Sequence, residues 1–225
     1  CTSYSQTPLT TGGDYVYAWD IVMSDAGLPW ISYTKDDASF ESINILQCTD
    51  SNCLSFTSTT IVDTLPSYNQ YWLSLAQGTD GLPRLAYARG PSGTGMINGT
   101  FVRCTSVTCD SRIITEVASW KYFEQDIDMA MGTDGLARFA YVDGIYAYII
   151  SCQDVDCSQR TTTTLGRALF PVNLVIDHIG ITSVAYQSGD KASLQFVRMA
   201  SGDSGEPAVP AASSQIGTQT LPFDA

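Results

Sequence analysis

A short stretch that runs from a glycine to a tyrosine recurs four times along this chain, and no other feature constrains the fold as strongly. Gly27, Gly81 and Gly135 are 54 residues apart, and Gly180 follows after a further 45. In chain order the copies read GLPWISY, GLPRLAY, GLARFAY and GITSVAY. Recurrence at this spacing is typical of repeat architectures, in which each copy is one supersecondary unit.

Each copy predicts a tight turn followed by a β-strand. Asp-Gly pairs at 80–81 and 134–135 favour turns, because glycine accepts a positive φ and aspartate bonds to the local backbone. The fourth and sixth residues after each glycine are large and share one face of the strand. The fifth residue faces the other way and is always small: Ser32, Ala86, Ala140 and Ala185. This pattern predicts sheets stacked face to face, with a close approach on the small side.

The segments around each copy complete the unit. One strand is predicted before each turn, another leads into a cysteine, and a Thr/Ser-rich strand follows a second cysteine. Four antiparallel strands in about 50 residues is typical of a propeller blade, with a long β-sandwich or an irregular β-solenoid as alternatives. We therefore expect an all-β, β-propeller-like domain of four such repeats over residues 14–200. Residues 1–13 would be a surplus outer strand, and residues 201–225 a linker with a C-terminal outer strand.

Six of the seven cysteines form C-x4-C pairs: Cys48 with Cys53, Cys104 with Cys109, and Cys152 with Cys157. Structural zinc sites favour C-x2-C spacing and need four ligands, whereas these pairs lie in separate repeats and the chain has one histidine. The pattern favours three local disulfides. Disulfides in turn indicate an oxidising compartment, so we expect a secreted or cell-surface protein.

The N-terminal segment repeats the pattern that follows each second cysteine. The strand from Thr2 to Thr10 is therefore an outer strand without its own repeat. It could close a ring, be the remnant of a longer chain, or pair with an open sheet edge on a neighbouring molecule. We expect self-association through this strand. Cys1 is then free, joined to another chain, lipidated, or separated from an upstream partner.

The charge of the chain argues against several partners. The formal net charge is −12, and the chain has only three lysines. Such a surface repels phosphate backbones and anionic lipid headgroups, so we expect no nucleic-acid partner and no polybasic membrane contact. No apolar run is long enough for a transmembrane helix.

Few residues point to catalysis. His178 is the one histidine available for a nucleophilic triad, and its position beside Asp177 suits an ordinary polar residue near a strand end. A glycosidase needs two carboxylates in a cleft, and the glutamates are Glu41, Glu116, Glu124 and Glu206. Arginines at repeated positions need no substrate to explain them: Arg84, Arg103, Arg138 and Arg198. We expect no catalytic residue and no cofactor.

Two further motifs concern metal ions and glycans. Asp126 with Asp128, and Asp154 with Asp156, could offer oxygen ligands to calcium, but neither pair matches an EF-hand loop. We interpret them as turn carboxylates and expect no metal. Asn98 begins an Asn-Gly-Thr sequon and is a glycosylation candidate.

The Asp-Gly-Leu-Pro-x-Leu-Ala-Tyr strand at 80–87, followed by the C-x4-C pair at 104–109, resembles the blade repeat of secreted bacterial β-propellers of the BNR/sialidase-like or kelch-sized type. The resemblance implies architecture over about residues 14–200 and little about activity, because propellers have many functions. We expect a non-catalytic extracellular structural or self-assembly subunit. A carbohydrate- or protein-binding module and a sialidase-like enzyme are the alternatives.

Overall fold

The computed structural model describes residues 6–9, 15–36, 41–65, 68–91, 95–121, 127–190 and 193–199. The regular secondary structure of these residues consists of β-strands alone, and neighbouring strands run antiparallel, which confirms the all-β prediction. None of these residues forms a helix able to cross a membrane. The strands are β1 (Tyr15–Met23), β2 (Pro29–Asp36), β3 (Glu41–Cys48), β4 (Phe56–Leu65), β5 (Tyr68–Gln77), β6 (Pro83–Pro91), β7 (Met96–Cys104), β8 (Arg112–Lys121), β9 (Ile127–Met131), β10 (Ala137–Val142), β11 (Tyr146–Cys152), β12 (Arg160–Ile176), β13 (Thr182–Ser188) and β14 (Leu194–Met199).

The strands form three sheets in which neighbours in sequence are neighbours in space. Strands β1–β4 and β5–β8 are four-stranded sheets, and β9–β14 form one six-stranded sheet. Each sequence repeat corresponds to one stretch of strands, which we call a unit. Unit 1 is β1–β4, unit 2 is β5–β8, unit 3 is β9–β11 with residues 160–167, and unit 4 is residues 168–176 with β13 and β14.

The turns inside the units follow from the residues that the sequence singled out. Gly81 and Gly135 both have φ of 76°, in the left-handed region that favours glycine. The carboxylates of Asp80 and Asp134 each accept a hydrogen bond from the backbone N–H two residues later, at 3.1 and 3.0 Å. These Asx turns fix the hairpins that join the first two strands of units 2 and 3.

Strand β12 differs from the prediction of separate strands in the third and fourth repeats. It is one continuous strand of 17 residues, which pairs with β11 over its first part and with β13 over its second. The spacing from Gly135 to Gly180 is 45 residues rather than 54. This shorter spacing leaves no room for a loop between the two strands, so one extended segment serves both units. Register shifts lie between Ala147 and Tyr148 on β11 and between Leu169 and Val172 on β12 itself.

The apolar core lies between successive units. One cluster joins units 1 and 2, a second joins units 2 and 3, and a third joins units 3 and 4. In each unit we call the face that packs on the following unit the front face, and the opposite face the back face. The large residues after the repeat glycine lie on the back face, where Leu85, Phe139 and Val184 are fully buried. The small residues lie on the front face, as the pattern predicts.

The three disulfides predicted from the C-x4-C pairs are present: Cys48–Cys53, Cys104–Cys109 and Cys152–Cys157. Each closes the loop between the third and fourth strands of units 1 to 3. The second cysteine of each pair has a positive φ, between 53° and 59°. Three disulfides indicate an oxidising, extracellular environment.

Candidate interface: the uncovered faces of units 1 and 4

A polar side chain on the first strand of units 1, 2 and 3 bonds to the backbone of the next unit. Asp20 accepts a hydrogen bond from the N–H of Leu75 at 2.6 Å, and Asp128 accepts one from the N–H of Leu174 at 2.7 Å. Ser74 lies at the same repeat position as Asp20 and accepts the N–H of Met129 at 3.0 Å. The same side-chain to backbone hydrogen bond therefore joins units 1 and 2, units 2 and 3, and units 3 and 4, and we call it the inner clamp.

Burial affects the electrostatics of this clamp. Removal from water raises the pKa of the Asp20 carboxyl above its ordinary value of 3.8, although the hydrogen bonds from Leu75 and Ile21 oppose the change. The nearby Asp128 carboxylate adds to the rise. A carboxylate in this position bonds well to an N–H group but carries a desolvation cost.

Arginines hold the outer strands of neighbouring units together. Arg112 donates to the carbonyl of Ile61 in unit 1 at 3.0 Å, and Arg160 donates to the carbonyl of Val117 in unit 2 at 2.9 Å. Each also donates to the carbonyl of the second cysteine of its own unit, three residues earlier. In unit 1 the same repeat position is occupied by Phe56, which is exposed and cannot donate.

The front face of unit 4 is uncovered, although its counterparts are buried. Directly across from the small front-face residue of each unit stand Ile45, Phe101, Ile149 and Phe196. The first three are at most 3% exposed, because the next unit covers them, whereas Phe196 is 66% exposed. Leu194 and Val175 on the same face are also exposed, and so is Asn173 at the inner-clamp position. This face has the features of an inter-unit interface, but no unit of the described structure lies against it.

The back face of unit 1 is uncovered along its first strand. Ile21 is 55% exposed, while its counterparts Leu75, Met129 and Leu174 are at most 5% exposed. Trp19 and Met23 on the same strand are exposed as well. Large exposed apolar surfaces of this kind mark interaction sites in soluble proteins. The series of units thus has an exposed apolar surface at each end, the back face of unit 1 and the front face of unit 4.

The far end of that back face is covered by the N-terminal segment. Leu9 packs on the cluster of Leu46, Cys48 and Cys53, and the hydroxyl of Thr7 donates to the carbonyl of Asn52 at 3.2 Å. Residues 6–9 therefore lie against unit 1 of their own chain. Residues 6–9 are not assigned to a strand, and the rest of the segment from Thr2 to Thr10, with Cys1, lies outside the described residues.

The position of Leu9 matches that of the outer strands in other units. Leu9 follows Cys1 by eight residues, as Ile61 follows Cys53 and Val117 follows Cys109. Ile61 lies in one cluster with the disulfide of unit 2, and Val117 lies in one cluster with the disulfide of unit 3. Residues 6–9 thus lie beside the disulfide of unit 1 in the same way that the outer strands of units 1 and 2 lie beside the disulfide of the following unit.

Asn98, the glycosylation candidate, lies on β7 between β6 and β8 and is partly exposed. Its side-chain oxygen accepts a hydrogen bond from the Ser119 hydroxyl at 3.0 Å. The sequon threonine, Thr100, is buried.

The other chemical candidates are dispersed. His178 is exposed in the turn after β12, and Asp177 beside it accepts bonds from the N–H groups of Ile179 and Ile181. Asp154 accepts bonds from the N–H groups of Asp156, Ser158 and Gln159. Over the described ranges no three His, Cys, Asp or Glu side chains are grouped as metal ligands. Asp126, Glu124, Glu206 and the segment 201–225 lie outside those ranges.

The arginines at repeated positions each pair with an aspartate rather than with one another. Arg84 pairs with Asp80 and Arg138 with Asp134, both at 2.7 Å, and Arg198 lies 3.8 Å from Asp177. Arg103 of unit 2 contacts Asp156 of unit 3 at 2.5 Å. These ion pairs are separate and do not form a common anion site.

Sequence reasoning missed the inner clamp and the two end faces. A signal for the clamp was present, since Asp20, Ser74, Asp128 and Asn173 each lie seven residues before a repeat glycine in otherwise apolar strands. The exposure of Ile21 and Phe196 had no such signal, because their counterparts are apolar too.

Comparison with known proteins adds information on the fold. No family model matches the chain, and no curated protein shows significant similarity to it. Among solved structures, the chain is similar to a protein of unknown function from Dyadobacter fermentans DSM 18053, with a TM-score of 0.57 and 10% identity. The similarity covers 85% of this chain and 67% of that one. At this identity the likeness shows a common fold alone.

Proposed function

We propose that this chain is a non-catalytic extracellular structural subunit, built from four β-propeller-like repeats, that assembles through the uncovered faces of units 1 and 4. The repeat positions support the propeller-like arrangement. The first strands of units 1, 2 and 3 pack side by side in order, and β9 packs beside β12. Sheets arranged in this way about a common axis are typical of propellers.

One observation carries the functional part of the proposal. Phe196 is exposed at a position that is buried in all three other units. An apolar face made to the pattern of an interface, and left open, is best explained as a docking surface for another sheet. A contact between unlike faces either closes a ring or extends into a filament. The three disulfides support an extracellular site of assembly.

Donation of the N-terminal strand, the route expected from the sequence, is compatible with face-to-face docking. The described part of that segment, residues 6–9, lies against unit 1 of its own chain. A neighbour that docks on unit 1 would bring its own sheet edge to the strand. The exposed faces are therefore the primary contact in this proposal.

The test is the molecular mass of the purified chain over a wide range of concentrations, by analytical ultracentrifugation. We expect the wild type to associate and Phe196→Asp to remain a single chain, because a charge cannot be buried in an apolar interface. Val107→Asp is the matched control: Val107 is an exposed apolar residue in a disulfide loop, away from both faces. A wild type that stays a single chain at every concentration would overturn the proposal.

A second candidate is a carbohydrate- or protein-binding module. The observation in its favour is the pair of exposed aromatic side chains on β1, Tyr15 and Trp19. Binding of glycans by a single chain, lost in Trp19→Ala, would favour this candidate over assembly.

A further inference from the structure

We propose that unit 4 of one copy docks on the back face of unit 1 of a second copy, whose residues 6–9 then add an outer strand along β14. This inference rests on the proposed structural function and specifies the partner and the register. It follows from the repeat itself, since each contact has three precedents inside the chain.

The two faces complement each other position by position. Phe101 on the front face of unit 2 packs on Phe139 of unit 3, and Phe196 would pack on the corresponding residue of unit 1, Ile31. The inner clamp extends in the same way. The Asn173 side chain stands where Asp20, Ser74 and Asp128 stand, and its amide oxygen would accept the N–H of Ile21 in the second copy.

Within the described ranges, the outer edge of unit 4 has no strand beside it. Among the described strands β14 is the last of its sheet, and none of them pairs with its outer edge, which corresponds to the edge of β3, β7 or β11 that pairs with an outer strand. An unpaired edge is a template for another strand. Residues 6–9 already lie before unit 1, where the outer strand of a preceding unit belongs. Pro8 lacks an N–H donor, which suits an outermost strand.

The repeat fixes the register of this pairing. The residue five positions after the second cysteine pairs with Leu46 in unit 1, Val102 in unit 2 and Ile150 in unit 3. The corresponding residue after Cys1 is Gln6, and the counterpart of Val102 in unit 4 is Val197. Gln6 of one copy therefore lies opposite Val197 of the other.

The partner is a second copy rather than the same chain. Strands β1 and β12 do not pack side by side in the described structure, whereas β1 packs beside β5, and β5 beside β9. Across the described residues, the front face of unit 4 therefore does not pack on the back face of unit 1 of the same molecule. Two copies joined at both ends would supply eight units, which is within the usual range of four to eight blades in a propeller.

Cross-linking tests the register. In a Cys1→Ser background, chains with Gln6→Cys are mixed with chains with Val197→Cys and oxidised. Directly opposed residues have Cβ atoms about 4.5–5.5 Å apart, close enough for a disulfide after a small adjustment. The control replaces Val197→Cys with Gln195→Cys, since a diagonal neighbour about 7–8 Å away is too distant. We expect a shift from one chain to two in the first mixture and loss of that product in the control.

Variants that block one face test whether unlike faces pair. Phe196→Asp disrupts the front face of unit 4 and leaves the back face of unit 1 intact. Ile21→Asp disrupts the back face of unit 1 and leaves the front face of unit 4 intact. We expect each variant alone to be a single chain and their mixture to form a dimer. Because both substitutions lie on exposed positions, folding should be retained, and circular dichroism checks this.

The remaining outcomes overturn the inference in distinguishable ways. Association of either single variant with itself would show that like faces pair; the structural function would stand and this inference would fall. A single-chain product from Gln6→Cys and Val197→Cys in one molecule would show that the chain closes on itself. A wild type that never associates would overturn both proposals.

Discussion

The ring of Phe101 lies edge-on to the ring of Phe139 in the next unit, with centroids 5.5 Å apart and planes at 72°. Edge-to-face packing of this kind adds to the apolar burial of both rings. Phe196 holds the same repeat position in unit 4, but no aromatic ring of the described residues packs against it. A comparison of Phe101 with Phe196 therefore shows how much this repeat position contributes to folding stability when it is buried between units and when it is exposed.

The first prediction concerns folding stability. Phe101→Ala should lower the free energy of unfolding by about 3–5 kcal/mol, because it leaves a cavity in a closed core. Phe196→Ala should change it by no more than about 0.5 kcal/mol, because the side chain is exposed. Urea denaturation at concentrations where the chain is not associated measures both. Equal losses in the two variants would contradict the assignment of Phe196 to an open face.

The second prediction concerns the inner clamp. Asp20→Ala should cost about 1–3 kcal/mol, because the buried N–H of Leu75 loses its acceptor. Asp20→Asn should cost much less, since the amide oxygen can accept the same bond, as we infer for Asn173. Thermal and urea denaturation of both variants measure the difference. The clamp is not important for stability if alanine and asparagine behave alike.

The third prediction is the pH dependence that Asp20 contributes. Burial raises the pKa of this carboxyl in the folded chain, so the folded state binds the proton more tightly than the unfolded state. The stability of the wild type relative to Asp20→Asn should therefore fall as the pH rises from the ordinary value of 3.8 through the raised pKa. The difference in unfolding free energy between the two proteins, measured over that interval, tests the sign. A difference that grows with pH would contradict it.

Asp177 should have the opposite effect. Bonds from the N–H groups of Ile181 and Ile179 lower its pKa, so its contribution to stability is lost as the pH falls through that lowered value. Asp177→Asn provides the comparison for the Asp20 experiment. The stability of the wild type relative to Asp177→Asn should rise with pH, whereas its stability relative to Asp20→Asn should fall.

The fourth prediction concerns the disulfide of unit 2. Replacing Cys104 and Cys109 by alanine should cost about 2 kcal/mol, the chain-entropy value for so short a loop. Cys109 has φ of 59°, a conformation that costs L-residues about 1–2 kcal/mol and glycine far less. The Cys104→Ala, Cys109→Gly protein should therefore be more stable than the double alanine protein by about 1 kcal/mol. Chemical denaturation of the two proteins tests this, and equal stabilities would show that the loop relaxes once the disulfide is absent.

The sequence was informative wherever the decisive contacts are short in range. The turns at Gly81 and Gly135 and the disulfide pairs depend on residues a few positions apart, so spacing and residue type predict them directly. The alternation of large and small residues along β6 and β10 predicted which face would be closely packed. The merging of two expected strands into β12 could have been anticipated only from the shorter last spacing.

The candidate interface depends on contacts that spacing alone does not reveal. Asp20 and Leu75 are 55 residues apart, and their bond exists because unit 2 packs on unit 1. The repeat makes Phe101 and Phe196 alike in sequence, yet one is buried and the other exposed. No local pattern distinguishes them.

Hydrogen bonding within hairpins and the chemistry of turns are local, so the residues alone predict that this protein consists of similar disulfide-bonded β-units. That the described units form an open series, with Ile21 exposed at one end and Phe196 at the other, is visible only in the folded chain. Burial depends on which surface lies opposite a side chain, and that surface belongs to a segment far away in the sequence or to another molecule.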